Sequence, residues 1–111
     1  MYELIFYKTA RDEAPALEFL LSLEARAQAK AQRLITFLRA QGPDLPRPYA
    51  DVVRGKIREL RVRYGSRQIR FLYFFDDRSV VMVSGFVKKT SSVPIEEIER
   101  AERRMTDWLN R

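Results

Sequence analysis

Across the middle of this chain the hydrophobic period changes from that of a helix to that of a strand, and three prolines mark the change. Ahead of it, Ala27, Ala31, Leu34, Ile35 and Leu38 recur at helical spacing. Beyond it, Leu60 and Val62 alternate with Glu59, Arg61 and Arg63, while Ile69, Phe71 and Tyr73 alternate with Gln68, Arg70 and Leu72. Alternation of this kind sends successive side chains to opposite faces of a strand. Residues 41–51, which hold Pro43, Pro46 and Pro48, read as the loop between the two regimes. A chain with the two periods in separate blocks packs helices against a sheet, which is the α+β class.

The remaining elements follow from local signals. Residues 2–7 are aromatic and β-branched and read as a first strand. Asp12 stands ahead of Glu13-Ala14-Pro15, and a proline suits the first turn of a helix. Leu17, Phe19, Leu20 and Leu21 give that helix its apolar residues, with a brief break expected near Glu24 to Arg26. The second helix runs to Ala40 and is stopped by Gly42-Pro43. Gly65-Ser66 and Asp76-Asp77-Arg78 are turns, and residues 80–87 are a further strand. Pro94 opens a last helix whose Ile95, Ile98, Ala101, Met105 and Trp108 or Leu109 face the sheet. The expected order is β-α-α-β-β-β-α: a helical hairpin and a C-terminal helix on a mainly antiparallel sheet, because connections this short join antiparallel strands. A length of 111 residues fits one domain, 1–111.

The net charge of +6 is concentrated. Between Arg54 and Tyr73 seven basic residues face Glu59 alone, and the rest of the chain is balanced. Charge of one sign in one place steers an anionic partner, with nucleic acid the first candidate. The absence of cysteine removes disulfides and thiolate chemistry and fits a reducing cytoplasm. The absence of histidine removes the usual general base and the commonest metal ligand. With no Gly-rich phosphate loop and no calcium-loop pattern, neither a metal nor a cofactor is expected. No apolar run approaches the roughly 18 residues of a spanning helix, and no signal peptide is expected.

Arg61 and Arg70 occupy polar positions of neighbouring strands, and Lys88 and Lys89 end the next strand, so the four can converge on one sheet face. Guanidinium forks bind two phosphate oxygens at once. The competing reading is a solvated face on which Arg61 pairs with Glu59 or with an acidic helix residue. Phe86 either stacks a base or packs in the core. Tyr49 and Tyr64 are possible proton donors near loops. Glu96, Glu97, Glu99 and Glu102 form the acidic face of the last helix. Nothing in the sequence places two carboxylates beside the basic face.

The stretch Gly55-Lys56-Ile57-Arg58-Glu59-Leu60-Arg61-Val62, then Ile69-Arg70-Phe71-Leu72-Tyr73, Gly85-Phe86-Val87-Lys88-Lys89-Thr90, Pro94, Glu97-Ile98 and Ala101, resembles the RelE/ParE toxin superfamily, closest to its phage-derived HigB-like branch. Pro15, Phe19 and Leu20 extend the likeness into the hairpin. The resemblance implies a RelE-like fold and the toxin of a type II toxin–antitoxin pair. Such a toxin is a metal-independent mRNA endoribonuclease (an mRNA interferase) that acts at the ribosome and inhibits translation. It implies a cognate helix-turn-helix, HigA-like antitoxin, and contact with operator DNA only through that antitoxin. Matched by position, Arg70, Lys88 and Lys89 are the expected catalytic residues, and Lys56, Arg58, Arg61, Arg63 and Phe86 the expected RNA and phosphate contacts. Lys88, or Lys56, is the candidate for proton transfer. The C-terminal histidine or tyrosine that several relatives use for proton transfer has no counterpart in Asp107-Trp108-Leu109-Asn110-Arg111. Two alternatives remain at this point: a ParE-like gyrase inhibitor without nuclease activity, and a non-catalytic basic RNA-binding module.

Overall fold

The computed structural model describes residues 1–111. Strand β1 (Glu3–Phe6) leads into helices α1 (Pro15–Ser22) and α2 (Ala25–Gln41), and a single 3-10 turn (Gly42–Asp44) follows. Four strands come next, β2 (Ala50–Arg54), β3 (Ile57–Tyr64), β4 (Arg67–Asp76) and β5 (Ser79–Lys88), and helix α3 (Ile95–Leu109) closes the chain. They form one five-stranded sheet in the order β1-β5-β4-β3-β2. β1 pairs parallel with β5, and every other pair is antiparallel. The class is α+β, with the helices and strands in the order the sequence implies and one strand more. That strand is β2, which takes Ala50 and Asp51 out of the expected loop. It is short and exists through pairing with β3, Ala50 opposite Leu60 and Asp51 opposite Glu59, which no local pattern reports.

The punctuation is local. Pro15 sits in the first turn of α1, the hairpin turns at Leu23 and Glu24, and Gly42 ends α2 with φ +60°, a conformation that glycine adopts without strain. The two helices of the hairpin cover one face of the sheet. Ala16, Leu20, Ala27, Ala31, Ile35 and Leu38 pack there against Leu60, Val62, Ile69, Phe71, Tyr73 and Met82. Alanine at three helix positions with no exposed surface brings the helix backbones close to the strands.

One contact sets how close. The Phe19 ring lies edge-on to Phe71, with centroids 5.6 Å apart, directly over Gly85, which is paired with Phe71. A Cβ on Gly85 would stand 2.4 Å from that ring. Glycine therefore makes room for the aromatic that fastens α1 to β5.

On the other face α3 sets Ala101, Met105 and Trp108 against Ile57, Leu72, Phe74, Val81 and Val83. Polar moorings fix it there. Arg104 Nη1 donates to the Val83 carbonyl at 2.8 Å and to Ser84 Oγ at 2.9 Å, where β5 bulges opposite Leu72 and Tyr73. Trp108 Nε1 donates to Asp76 Oδ2 at 3.0 Å, and the Tyr7 hydroxyl to Asp107 Oδ2 at 2.6 Å. All of these lie toward the Asp76 end of β4. The Arg67 end of that face has no helix over it.

Gly85→Ala forces the Phe19 ring outward, and overpacking of this kind costs about 1–3 kcal/mol. Urea denaturation should show that loss, and a smaller one when the same change is made in a Phe19→Leu background. Burial pushes the Tyr73 phenol up from 10.0 to about 12. A raised phenol pKa stabilises the fold fully below pH 10 and loses that contribution as pH rises toward 12. Stability measured between pH 10 and 12 should therefore fall less steeply in Tyr73→Phe than in the unmodified protein.

Candidate functional site

Three successive cross-strand rows carry the α3 face from under the helix into its open half. Glu59, Leu72 and Ser84 form the first, Arg61, Arg70 and Phe86 the second, and Arg63, Gln68 and Lys88 the third. Strand alternation sends every one of these side chains to the same side of the sheet. Asp51, opposite Glu59 on β2, joins them.

At the centre is a buried ion pair. Arg70, 5 % exposed, donates from Nε to Glu59 Oε1 at 2.7 Å and from Nη1 to the carbonyl of Ile69 at 3.1 Å. Burial lowers the Arg70 pKa and the Glu59 charge works against that shift. Arg61 reaches the same carboxylate from the other side, Nη2 to Glu59 Oε2 at 3.2 Å, and also Asp51 Oδ2 at 3.3 Å. Its Nε is buried without an acceptor. The Val52 backbone N–H, 2.8 Å from Asp51 Oδ1, holds the Asp51 carboxyl below its ordinary range, and the charges of Arg47 and Arg61 add to the effect. The pairing of Arg61 with Glu59 is thus real, and it coexists with a second carboxylate. Two carboxylates do stand beside the basic face, contrary to the sequence reading, because β2 carries Asp51 there.

Lys88 is half-buried, and its Nζ donates to the Ser91 carbonyl at 3.2 Å. It lines a groove with Asp51, Glu59, Arg61, Ser91 and Ser92. Lys89 is exposed where β5 ends and shares an adjoining recess with Ser66, Arg67, Gln68 and Thr90. Arg63, also exposed, faces a third recess with Lys30, Tyr49, Arg61, Gln68 and Arg70. The Gln68 amide lies between the Arg63 and Arg70 guanidinium groups. Phe86 is half-buried and packs on the core beneath α3, so it borders the face with only part of its ring available.

Two expected residues lie elsewhere. Arg58 projects from the hairpin side of the sheet, over the Phe75 ring at 5.7 Å from its centroid. Lys56 is exposed in the turn between β2 and β3, at the opposite end of β3 from Arg63. At about 3.3 Å per strand residue, that is on the order of 20 Å from the third row. The proton-donor candidates also divide. The Glu24 carboxylate beside Tyr64 pushes its phenol up, and the ring lies under the Arg67 guanidinium. Tyr49 borders the recess of Arg61 and Arg63 and leans on Phe37, centroids 6.0 Å apart. Sequence reasoning missed Asp51 and Gln68 as members of the face, whereas Arg67 turns to the hairpin side, where it meets Glu24. Asp51 carried no signal apart from β2, whereas the parity of Gln68 with Arg70 was there to be read. No group of three or more acidic or metal-ligating side chains is arranged to hold a metal ion, and no helix is long and apolar enough to cross a membrane.

Residues 18–106 match the family described as Phage derived protein Gp49-like (DUF891). The chain belongs to that family. No curated protein matches it. The Gp49-like span takes in the hairpin from Glu18, the four strands β2 to β5 and α3 as far as Thr106, so every residue of the basic face lies inside it.

Stranding one member of the central pair should be costly. Removing one partner of a buried ion pair costs about 3–5 kcal/mol, because the other charge stays behind. Arg70→Met and Glu59→Leu should each lose that order of stability. The double variant should lose clearly less than their sum, as read from a urea double-mutant cycle.

Proposed function

We propose that this Gp49-like chain is the toxin of a type II toxin–antitoxin pair and a metal-independent endoribonuclease that cuts mRNA at the ribosome. The family's association with toxin–antitoxin systems supports the first part. One observation carries the second: an uncovered sheet face on which Arg61, Arg63 and Lys88 stand around a buried Arg70–Glu59 pair, with Lys89 at its edge. Cations fixed on strands meet a phosphodiester without reorganising, and in a partly dry site this stabilises developing charge by several kcal/mol. RNA cleavage through the 2′-hydroxyl needs no metal, since the nucleophile belongs to the substrate. Arg61, Lys88 and Lys89 contact the phosphates. Arg70 acts from behind, holding Glu59 in place, and Phe86 offers one ring edge to a base. Arg58 and Lys56 take no part in this site. The partner is a helix-turn-helix, HigA-like antitoxin that neutralises the toxin and makes the contact with operator DNA. The pair operates in the cytoplasm, where translating ribosomes are.

Induction in a bacterium, with mRNA 5′ ends mapped on translated and untranslated copies of one message, tests the proposal. New ends are expected on the translated copy only, and Lys88→Ala and Lys89→Ala should each reduce them at least tenfold. Each lysine should also lower the slope of RNA affinity against salt concentration by about one. Arrested replication with intact mRNA would assign the chain to gyrase inhibition. Salt-dependent RNA binding without new ends would make it a binding module.

A further inference from the structure

A carboxylate at the centre of a phosphate-binding face needs a reason. Glu59 opposes the charge that attracts the backbone; pairing with Arg70 occupies one of its oxygens, and the other is turned to Arg61, which lines the same groove. We infer that Glu59 is the general base of RNA cleavage and Lys88 the general acid, an inference that rests on the nuclease reading. Glu59 is 7 % exposed but lines the groove it shares with Arg61 and Lys88. Its two oxygens accept one guanidinium hydrogen bond each, from Arg70 and from Arg61. A carboxylate has about four acceptor sites, so capacity remains for a hydroxyl. Asp51, the other carboxylate of the groove, already accepts from Val52, Arg47 and Arg61 and stands on the edge strand.

The reaction itself asks for neighbours of this kind. The attacking 2′-oxygen and the non-bridging phosphate oxygens become ligands of one phosphorus. The group that takes the hydroxyl proton must therefore sit beside the group that binds the phosphate oxygens. Arg61 Nη2 and Glu59 Oε2, 3.2 Å apart, are such neighbours. The arginines cannot serve as bases because they stay protonated. The chain has no histidine to do so.

In the step itself, the 2′-hydroxyl proton passes to Glu59 as the O2′–P bond forms. The P–O5′ bond breaks, and the departing O5′ takes a proton from the Lys88 ammonium, which the Ser91 carbonyl holds over the same groove. The products are a 2′,3′-cyclic phosphate and a 5′-hydroxyl. Glu59 then returns its proton to water and Lys88 takes one back, so the enzyme is restored without a cofactor.

The wild-type protein, an RNA oligonucleotide or ribosome-bound message, and a range of pH supply the test. With a carboxylate as the base, the cleavage rate should stay flat from about pH 6 to 9. Glu59→Gln should lower that rate at least a hundredfold, the usual contribution of a positioned base. It should bind a 2′-O-methyl RNA, which cannot be cut, at least as tightly as wild type, because the change removes a negative charge from the face. A rate that climbs about tenfold per pH unit over the same range would point to a lysine base and overturn the assignment. So would a folded Glu59→Gln retaining more than a tenth of wild-type activity. If Glu59→Gln does not fold, the wild-type profile decides alone. No cleavage by wild type under either condition would overturn the nuclease reading and this assignment with it, whereas cleavage with the wrong profile would overturn the assignment alone.

Discussion

Arg70 carries its charge into the middle of the sheet, where almost no water reaches it, and Glu59 makes that position tenable. An isolated guanidinium there would cost several kcal/mol in lost hydration. The pair lies diagonally across β3 and β4, since Arg70 is level with Arg61 and Glu59 with Leu72. It marks the boundary on this face between a hydrophobic half under α3 and a charged half that stays open. Toward Asp76 the strands present Leu72, Phe74, Val81 and Val83; toward Arg67 they present Arg61, Gln68, Phe86 and Lys88. Arg70 and Glu59 are the last groups on the boundary that can still find each other.

The same boundary explains where α3 stops. Its apolar contacts are spent on the Asp76 half, and Arg104 ties it to the bulge in β5 just short of the charged rows. The bulge shifts the register between Leu72 and Tyr73. Because side chains alternate with a period of two, that shift lets Val81 and Val83 lie under the helix while Phe86 and Lys88 still reach the same face further along. On the hairpin side no such boundary crosses the middle of the sheet: Leu60, Val62, Ile69, Phe71 and Tyr73 form one buried block, with Phe19 packed over Gly85 beside Phe71.

How much of this the sequence revealed depends on how local each cause is. Pro15, Gly42-Pro43, Gly65-Ser66 and Pro94 act on their own backbone, and the helices and turns they define lie where the sequence places them. The α+β class followed from the change of period. Strand β2 was not legible, because five residues with an exposed Val52 show no pattern until β3 supplies the partners. The candidate site divides along the same line. Arg61 and Arg63 could be assigned a face from alternation, but Lys88 could not, because the bulge in β5 reverses its parity relative to Val81 and Val83. Arg58 has the opposite parity to Arg61 and Arg63, so grouping the three ignored a signal that was present. The burial of Arg70 and the arrival of Asp51 depend on cross-strand neighbours, which alternation within one strand does not identify.

The inventory of cations also changes meaning in three dimensions. Read along the chain, the basic block from Arg54 to Arg70 looks like a uniform attractor of polyanions. In the fold its members do different work. Arg54 pairs with Glu102 on α3, Arg58 lies over Phe75, and Arg70 is committed to Glu59. Arg61 is shared between two carboxylates, and Arg67 meets Glu24 at the hairpin turn. Lys88, Lys89 and Arg63 form no ion pair, and they line the edge of the open face. Electrostatic attraction of the proposed RNA substrate would therefore fall first to that edge, where screening by salt is strongest. The paired arginines further in come into play only when a phosphate competes with Glu59 or Asp51 for them. In the proposed nuclease, two stages of contact, a salt-sensitive rim and a carboxylate-guarded centre, would separate holding RNA from acting on it.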